Sequence, residues 1–585
     1  MTPLIDPRFG DVEDDASSTK RRSLLVMAGS LLAEISIPKL ILAWVLLLLL
    51  PALLLGLAPL VASAWLATLS RKVAGLYSGA WPLALLVLVL ALGWIGGRPL
   101  LRAAEQGFWS LNSVAVQPGY AFWREGLRHL MELFVVRKGT TCPAHLRAGT
   151  AAGAGLILFG VGLCVVFLAW PASRWVGKID DLASPHRLVL PALANAAVIL
   201  GGYLAAAALA WGCGDATMDQ PRDLPAFDQP PANAKTWRIA HLSDLHVVGE
   251  RYGFRIESGR SGPRGNERLV RVLTRLEEEH KKRPLDFILI TGDVTDAGRS
   301  AEWAEFLATL AKFSELAKRT FLLPGNHDVN VVDRANPARL DLPTSPGRRL
   351  RQLRALSAMA TVQGNGVRVV DPLTRRLGDT LEHKLAAYRS SIAEFADTGT
   401  LRLSGKLAEV WVDMFPMVMQ PTAEDGLGIM LLNSTAETHF SFTNALGLVS
   451  RAQTRALVAI VDQFPRAHWI LALHHHLVEY PRLASALSER IGTALINGSW
   501  LVRQLEPLGR RVVVMHGHRH IDWIGECGSL RIISAPSPVM EATDEIATSL
   551  LVHRLATGPE GRLCLLTPHR IEIPGSRHET VSTPS

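Results

Sequence analysis

Four long apolar runs dominate the first 212 of the 585 residues: Lys39–Leu69, Ala80–Gly97, Ala148–Trp170 and Arg187–Trp211. Each is near the ~20 residues a helix needs to cross the hydrocarbon core of a bilayer. The spacing predicts four membrane-spanning helices. The first run contains LLLLLPALLLGL and carries no charge after Lys39. A VASA within it could serve as a cleavage site, but the charged region ahead of it is too long for a signal sequence. No span has an acidic residue at its centre, so no proton or ion path is visible.

Orientation follows from the basic residues of the connections. The N-terminal tail carries Arg8, Lys20, Arg21, Arg22 and Lys39. The second connection carries Arg98, Arg102, Arg124, Arg128, Arg137, Lys138 and Arg147. The other two connections hold only Arg71, Lys72, Arg174, Lys178 and Arg187. The tail and second connection are therefore expected on the cytoplasmic side, and four crossings return the chain to it. This describes a multi-pass protein of the cell inner (plasma) membrane with a cytoplasmic C-terminal part. The net charge of +8 is not confined to one basic tract. It fits an anionic membrane surface, and no nucleic acid is expected. Five cysteines without a CxxC pair argue against a disulfide framework and a zinc ribbon.

The expected organisation is a cytoplasmic tail over 1–38, a transmembrane region over 39–212, a Pro-rich linker over 213–234, a catalytic domain over 235–575 and a C-terminal tail over 576–585. The linker includes DLPAFDQPPANAK and should be extended. Beyond it, strands and helices alternate. TWRIAHLSDLH is a strand ending in a polar loop, NERLVRVLTRLEEEH has helical spacing, and DFILITGD is a buried strand. RTFLLPGNHD, GIMLLNS, AHWILALHHH, RRVVVMHGHRH and LRIISAPSP continue the series. Short apolar strands between helices indicate an α/β sheet domain.

The strand ends carry the chemistry. Asp244 and His246 close the first strand, Asp293 the second, Asn326 and His327 the third. His474–His476 close a later strand, and His516, His518 and His520 the one after. Open α/β sheets gather their sites at the carboxyl ends of strands, so these loops should converge. Their mixed oxygen and imidazole set suits Mn, Fe or Zn better than Mg or Ca. Two such ions, divalent or trivalent, can share a carboxylate, activate a water as nucleophile and neutralise phosphoryl charge.

DLH, GD, GNHD, the HHH loop and GHRH, in this order, resemble the calcineurin-like metallophosphoesterase superfamily over about residues 235–570. The resemblance implies a four-layer α/β/β/α sandwich with two metals between its sheets. It implies Asp244, His246 and His520 as ligands of one metal, and Asn326, His474 and His518 as ligands of the other, with Asp293 bridging. His327 would be the proton donor or transition-state stabiliser, oriented by Asp328. A proline often follows the HHH motif in relatives, where Leu477 stands here.

Several histidines fall outside that pattern. His516 is read as a strand residue hydrogen-bonded in the interior, His241 as packed in its strand, and His475 and His476 as supporting or substrate-facing groups. About a hundred residues interrupt the pattern, over 330–428. They include SPGRRLRQLRALSAMA, with Arg348, Arg349, Arg351 and Arg354 close together. This is either a solvated basic helix face or a lid that grips an anionic head group or the membrane surface. ATVQGNGVRVVDP, with its GNG turn signal, is expected as a small hairpin on that lid.

The leading function is a membrane-anchored dinuclear-metal phosphoesterase whose partners are a phosphoester substrate and membrane lipid. A phosphodiester or a lipid-linked phosphate is favoured. The alternatives are a cyclic-nucleotide phosphodiesterase, a protein phosphatase, a non-catalytic regulatory module that would have lost a ligand, and a transporter, which would carry intramembrane charge.

Overall fold

A helix that is apolar all round can bury its surface only against other helices or in lipid. The computed structural model places three such helices near the N-terminus. It describes residues 49–74, 116–135, 143–178, 184–249, 266–333, 346–438, 441–481, 495–540 and 546–575, with isolated positions between them. The described chain forms two compact units, Ile35–Met218 and the residues from Asp219 onward.

In the N-terminal unit, α1 is Leu50–Ala74, α2 Gln117–Val135, α3 Ala144–Ala169 and α4 Val189–Thr217. Leu50–Ala67, Ala144–Ala172 and His186–Thr217 are long and apolar enough to cross a membrane. The expected second span, Ala80–Gly97, and the two terminal tails lie outside the described residues. α3 and α4 run antiparallel in close contact. A Cβ on Gly155 would stand 2.9 Å from the Gly212 Cα, and one on Gly162 2.6 Å from the Gly201 carbonyl oxygen. Small residues at such crossings let helix backbones pack closely in a membrane.

The C-terminal unit is built on two sheets. The smaller contains β2 (Thr236–Leu242), β3 (Phe287–Ile290), β4 (Thr320–Leu322), β13 (Thr548–Thr557) and β14 (Leu563–Ile573), in the order β14-β13-β2-β3-β4. The larger has nine strands: β1 (Arg222–Asp223), β5 (Arg368–Val370), β6 (Leu377–Thr380), β7 (Met417–Met419), β8 (Leu427–Leu431), β9 (His468–Ala472), β10 (Val512–His516), β11 (Trp523–Cys527) and β12 (Leu530–Ser534). Their order is β1-β11-β12-β10-β9-β8-β7-β5-β6. β2, β3 and β4 are parallel, as are β8, β9, β10 and β12. Ile239, Leu242 and Ile290 of one sheet share an apolar cluster with Ile470, Val513 and Met515 of the other. This is the expected pair of stacked sheets.

Helices cover the sheets. α5 (Glu267–Lys282) and α6 (Ser300–Ala311) bury Leu269, Val272 and Phe306 in the same cluster. α7 (Asn326–Val329) is a single turn after β4, and α8 (Pro346–Gln363) follows it. On the larger sheet, the ring of Phe464, at the end of α9 (Arg451–Gln463), meets Trp469 of β9.

Two expectations change here. First, the interruption is not a separate lid. Leu353, Leu356 and Met359 of α8 join the main core, while β5, β6 and β7 extend the larger sheet. The hairpin exists, but its turn is closed by Asp371 and Arg376, and GNG instead ends α8. The arginines turn into the protein. Arg348 is buried, Arg351 donates to Val329 O at 3.0 Å and pairs with Asp341, Arg349 bonds Gln352, and Arg354 reaches Gly298 O at 3.5 Å. These partners leave little of the cluster to grip a membrane. Second, the stretch expected as an extended linker is fastened to the catalytic unit. Arg222 and Asp223 pair with β11, and Trp523 Nε1 donates to Asp223 at 2.8 Å. Asp228 accepts from Leu565 N at 2.8 Å and from Arg562 at 3.0 Å.

Candidate metal centre

The carboxyl ends of β2, β3, β4, β9 and β10 meet at one place. Apolar strand residues commit each backbone to the sheet, and the polar residue that follows emerges at its edge. Asp244, His246, Asp293, His518 and His520 all hold positive φ, between 44° and 75°. They are five of the eight such non-glycine residues among those described. Strained backbone of this kind clusters at functional sites, where the surrounding structure holds side chains in a fixed array.

The side chains form two groups joined by one carboxylate. Ligand atoms of Asp244, His246 and His520 lie within 4.8 Å of one another, as do those of Asp293, His474 and His518, and of His246, Asp293 and His327. His520 Nε2 is 3.2 Å from Asp244 Oδ1. Asp293 Oδ2 is 3.2 Å from His474 Nε2 and 3.9 Å from His246 Nε2, and so faces both groups. Asn326 Oδ1 and His518 Nδ1 both approach His474 Nε2, at 3.1 and 3.2 Å.

The surrounding protein fixes each ring. Thr291 O lies 2.8 Å from His474 Nδ1, which leaves Nε2 free to point inward. Such a hydrogen bond sets the tautomer a metal ligand needs. Asp296 O likewise lies 2.7 Å from His327 Nδ1. Asp293 Oδ1 accepts from His327 N at 2.8 Å, and Asp244 Oδ2 from His518 N at 3.0 Å. A side chain on Gly325 would collide with Asp293, and one on Gly517 with Ser243 and Asp244, so both loops need glycine there.

The charges are mutually adjusted. Burial alone would lower the His474 pKa, but the neighbouring Asp293 carboxylate outweighs it and raises the value to about 9. Burial pushes the Asp244 carboxyl up, and His520 with His474 more than reverses this, holding it below its ordinary range. Burial and the charge of Asp293 raise Asp328 to about 6. Without metal, then, protons would balance the buried carboxylates. Buried carboxylates and imidazoles converging within ligand distance fit a pair of metal ions, which would take the place of those protons.

Residues 238–379 match the family model for calcineurin-like phosphoesterases. The chain carries a calcineurin-like phosphoesterase domain. The match contains Asp244, His246, Asp293, Asn326 and His327 and ends before His474; the geometry supplies the rest.

Solved structures resemble parts of the chain at low identity. A Staphylococcus aureus protein assigned as a 5'-nucleotidase, in complex with alpha-ketoglutarate, is 10% identical, with TM-score 0.32 over 60% of this chain and 56% of its own. A dimetal phosphatase from Danio rerio is 12% identical, with TM-score 0.32 over 58% of this chain and 99% of its own. A purple acid phosphatase from yellow lupin (Lupinus luteus) seeds is 10% identical, with TM-score 0.28 over 62% of this chain and 58% of its own. The chain thus spans little more than half the length of the first and third. No curated protein matches it.

The phosphoesterase site includes residues the sequence did not single out. Asp296 lies beside two site histidines, with its Oδ1 3.3 Å from His246 Nδ1. The available signal was the second carboxylate of GDVTD. Ser434, at the end of β8, accepts from His474 N and His475 N at 3.1 Å and meets His475 Nδ1 at 2.9 Å, so it fixes the HHH turn. Asp328 acts on the loop. Its carboxylate accepts from Thr295 N and Gly325 N, both at 2.8 Å, while the His327 ring finds Asp296 O. His516 is buried, with Nδ1 near Gly517 O at 3.2 Å, and His241 bonds Thr291 Oγ1 at 3.0 Å. His476 pairs with Glu479 at 3.0 Å.

Proposed function

We propose that the protein is a membrane-anchored phosphoesterase with a dinuclear metal centre. Asp244, His246 and His520 would hold one ion, Asn326, His474 and His518 the other, and Asp293 both. The observation that carries this reading is the Asp293 carboxylate, which faces the histidines of both groups. When bound, the metal pair would supply an activated water as nucleophile and neutralise charge on the phosphoryl oxygens. His327 would donate a proton to the leaving oxygen, its Nδ1 held by Asp296 O so that Nε2 faces the substrate.

The substrate reading follows from the anchor. Helices α1, α3 and α4 are apolar over membrane-spanning lengths. The charge bias of the connections puts the catalytic unit on the cytoplasmic side. A multi-span tether suits a phosphodiester or lipid-linked phosphate at the bilayer, with a cyclic nucleotide or a phosphoprotein as the alternative. The deciding experiment loads full-length protein with Mn, Fe or Zn and screens monoesters, diesters, cyclic nucleotides, phosphopeptides and lipid phosphates. If protein with two bound ions hydrolysed none of them, the catalytic reading would give way to a regulatory module.

A further inference from the structure

Helix α2 is polar inside and apolar outside. Its inward face carries Glu125 and Arg128, only 1% and 4% exposed, with Glu132 also buried. Its outward face carries Phe122, Leu130 and Phe134, and Phe134 is 84% exposed. The charges are paired. Arg128 bonds Glu132 at 3.1 Å, and Arg124 reaches Glu125 and Asp215 of α4, both at 2.9 Å. Tyr120 adds a 2.9 Å bond to Asp215. A helix beside water places its residues the other way round.

We infer that α2 is embedded in the bilayer, with its apolar face against lipid chains, and is not part of a cytoplasmic loop. The inference rests on reading the N-terminal unit as a membrane domain. The extent of the apolar surface argues for lipid over a protein partner. A docking patch is bounded by polar surface. Here exposed apolar residues recur on the other helices of the unit, at Leu156, Phe167 and Leu168 of α3 and Leu54 and Trp65 of α1. The exposed Trp123, in edge contact with Phe122, is the residue type that settles at a membrane interface. The buried charges have a matching explanation. Ionisable groups within a membrane turn toward the bundle and pair there.

The placement also bears on topology. Val116 and Tyr120 cluster with Ala154, Leu158, Ala207 and Ala208, and Leu127 approaches Gly153. These contacts lie midway along α3 and in the second half of α4. Buried and paired there, Arg124 and Arg128 no longer count as loop charges.

The test uses full-length protein in vesicles of phosphatidylethanolamine and phosphatidylglycerol. Phe134→benzoylphenylalanine and, separately, Phe167→benzoylphenylalanine on α3 are irradiated, and the adducts are identified by mass spectrometry. Lipid adducts at position 134, in yield comparable to 167, are expected. Lipid at 167 but a cross-linked second copy at 134 would overturn the inference in favour of a dimer face. Lipid at 167 and no adduct at 134 would overturn it in favour of an aqueous face. Absence of lipid at both positions would instead remove the membrane reading, and the inference with it.

Discussion

His474 Nε2 stands 3.2 Å from Asp293 Oδ2, although one residue ends a strand of the larger sheet and the other a strand of the smaller. This contact joins the two sheets at the metal centre. Asp293→Asn removes the negative charge that faces both ligand groups while keeping the shape. Metal content by elemental analysis should fall for both ions, with activity falling alongside. Unchanged metal content and full activity would exclude a bridging role.

Metal loading should release protons. His474 is protonated up to about pH 9 in the metal-free site, because burial is outweighed by the charge of Asp293. A metal needs the neutral imidazole, so affinity should rise with pH toward that value. Calorimetric titration in buffers of different ionisation enthalpy measures the released protons directly. A binding constant flat between pH 6 and 9, with no proton release, would contradict this account of the site.

His327→Ala should separate chemistry from binding. The ring would face the leaving oxygen, so metal content should be nearly intact while turnover falls by about 10²–10⁴, the usual worth of a general acid. Nitrophenyl esters, whose leaving groups need no proton, should lose less. An equal loss across leaving groups would mean that His327 only binds phosphate.

Most of the site was legible in the sequence, because ligand-type residues follow apolar strand residues at every relevant edge. Asp244, His246, Asp293, Asn326, His474, His518 and His520 do converge. Less legible were groups whose role depends on a distant backbone. Asp296 matters because of where the turn after β3 places its carbonyl, and Ser434 because β8 lies beside β9. Neither pairing leaves a local pattern. The arginines of α8 misled for the same reason. Their spacing describes a basic face, but Val329 O, Asp341 and Gly298 O, which absorb two of them, come from other segments of the chain. α2 was hidden by its charges, which look like those of a loop until their burial is known.

Acid sensitivity should come partly from His553. Burial lowers its pKa from 6.5 to about 3, and neither ring nitrogen has a hydrogen-bond partner among the described residues. The folded protein keeps it neutral, whereas the unfolded chain takes up a proton below about pH 6.5. Its contribution is therefore fully present above that pH, falls as pH drops from about 6.5 to 3, and levels off below. The range amounts to on the order of a few kcal/mol. His553→Leu should flatten the acid limb of a urea-denaturation profile measured on the C-terminal unit within the full protein. An unchanged limb would place the acid sensitivity elsewhere.

The anchor should matter only for substrates in the bilayer. Because Asp219–Lys235 is fastened to the catalytic unit through Asp223–Trp523 and Asp228–Leu565, a chain beginning at Asp219 should fold and bind metal. One beginning at Lys235 loses those bonds and should unfold at lower denaturant. The Asp219 chain should hydrolyse small soluble diesters as fast as the full protein. Against phosphate esters embedded in vesicles it should be much slower, because it has lost the effective concentration that tethering gives. The informative quantity is the rate ratio, full-length over truncated, for each substrate. A ratio that is large only for vesicles supports a lipid-linked substrate. An equal ratio for both would show that the anchor does not serve catalysis on lipids, and the cyclic-nucleotide or phosphoprotein readings would move ahead.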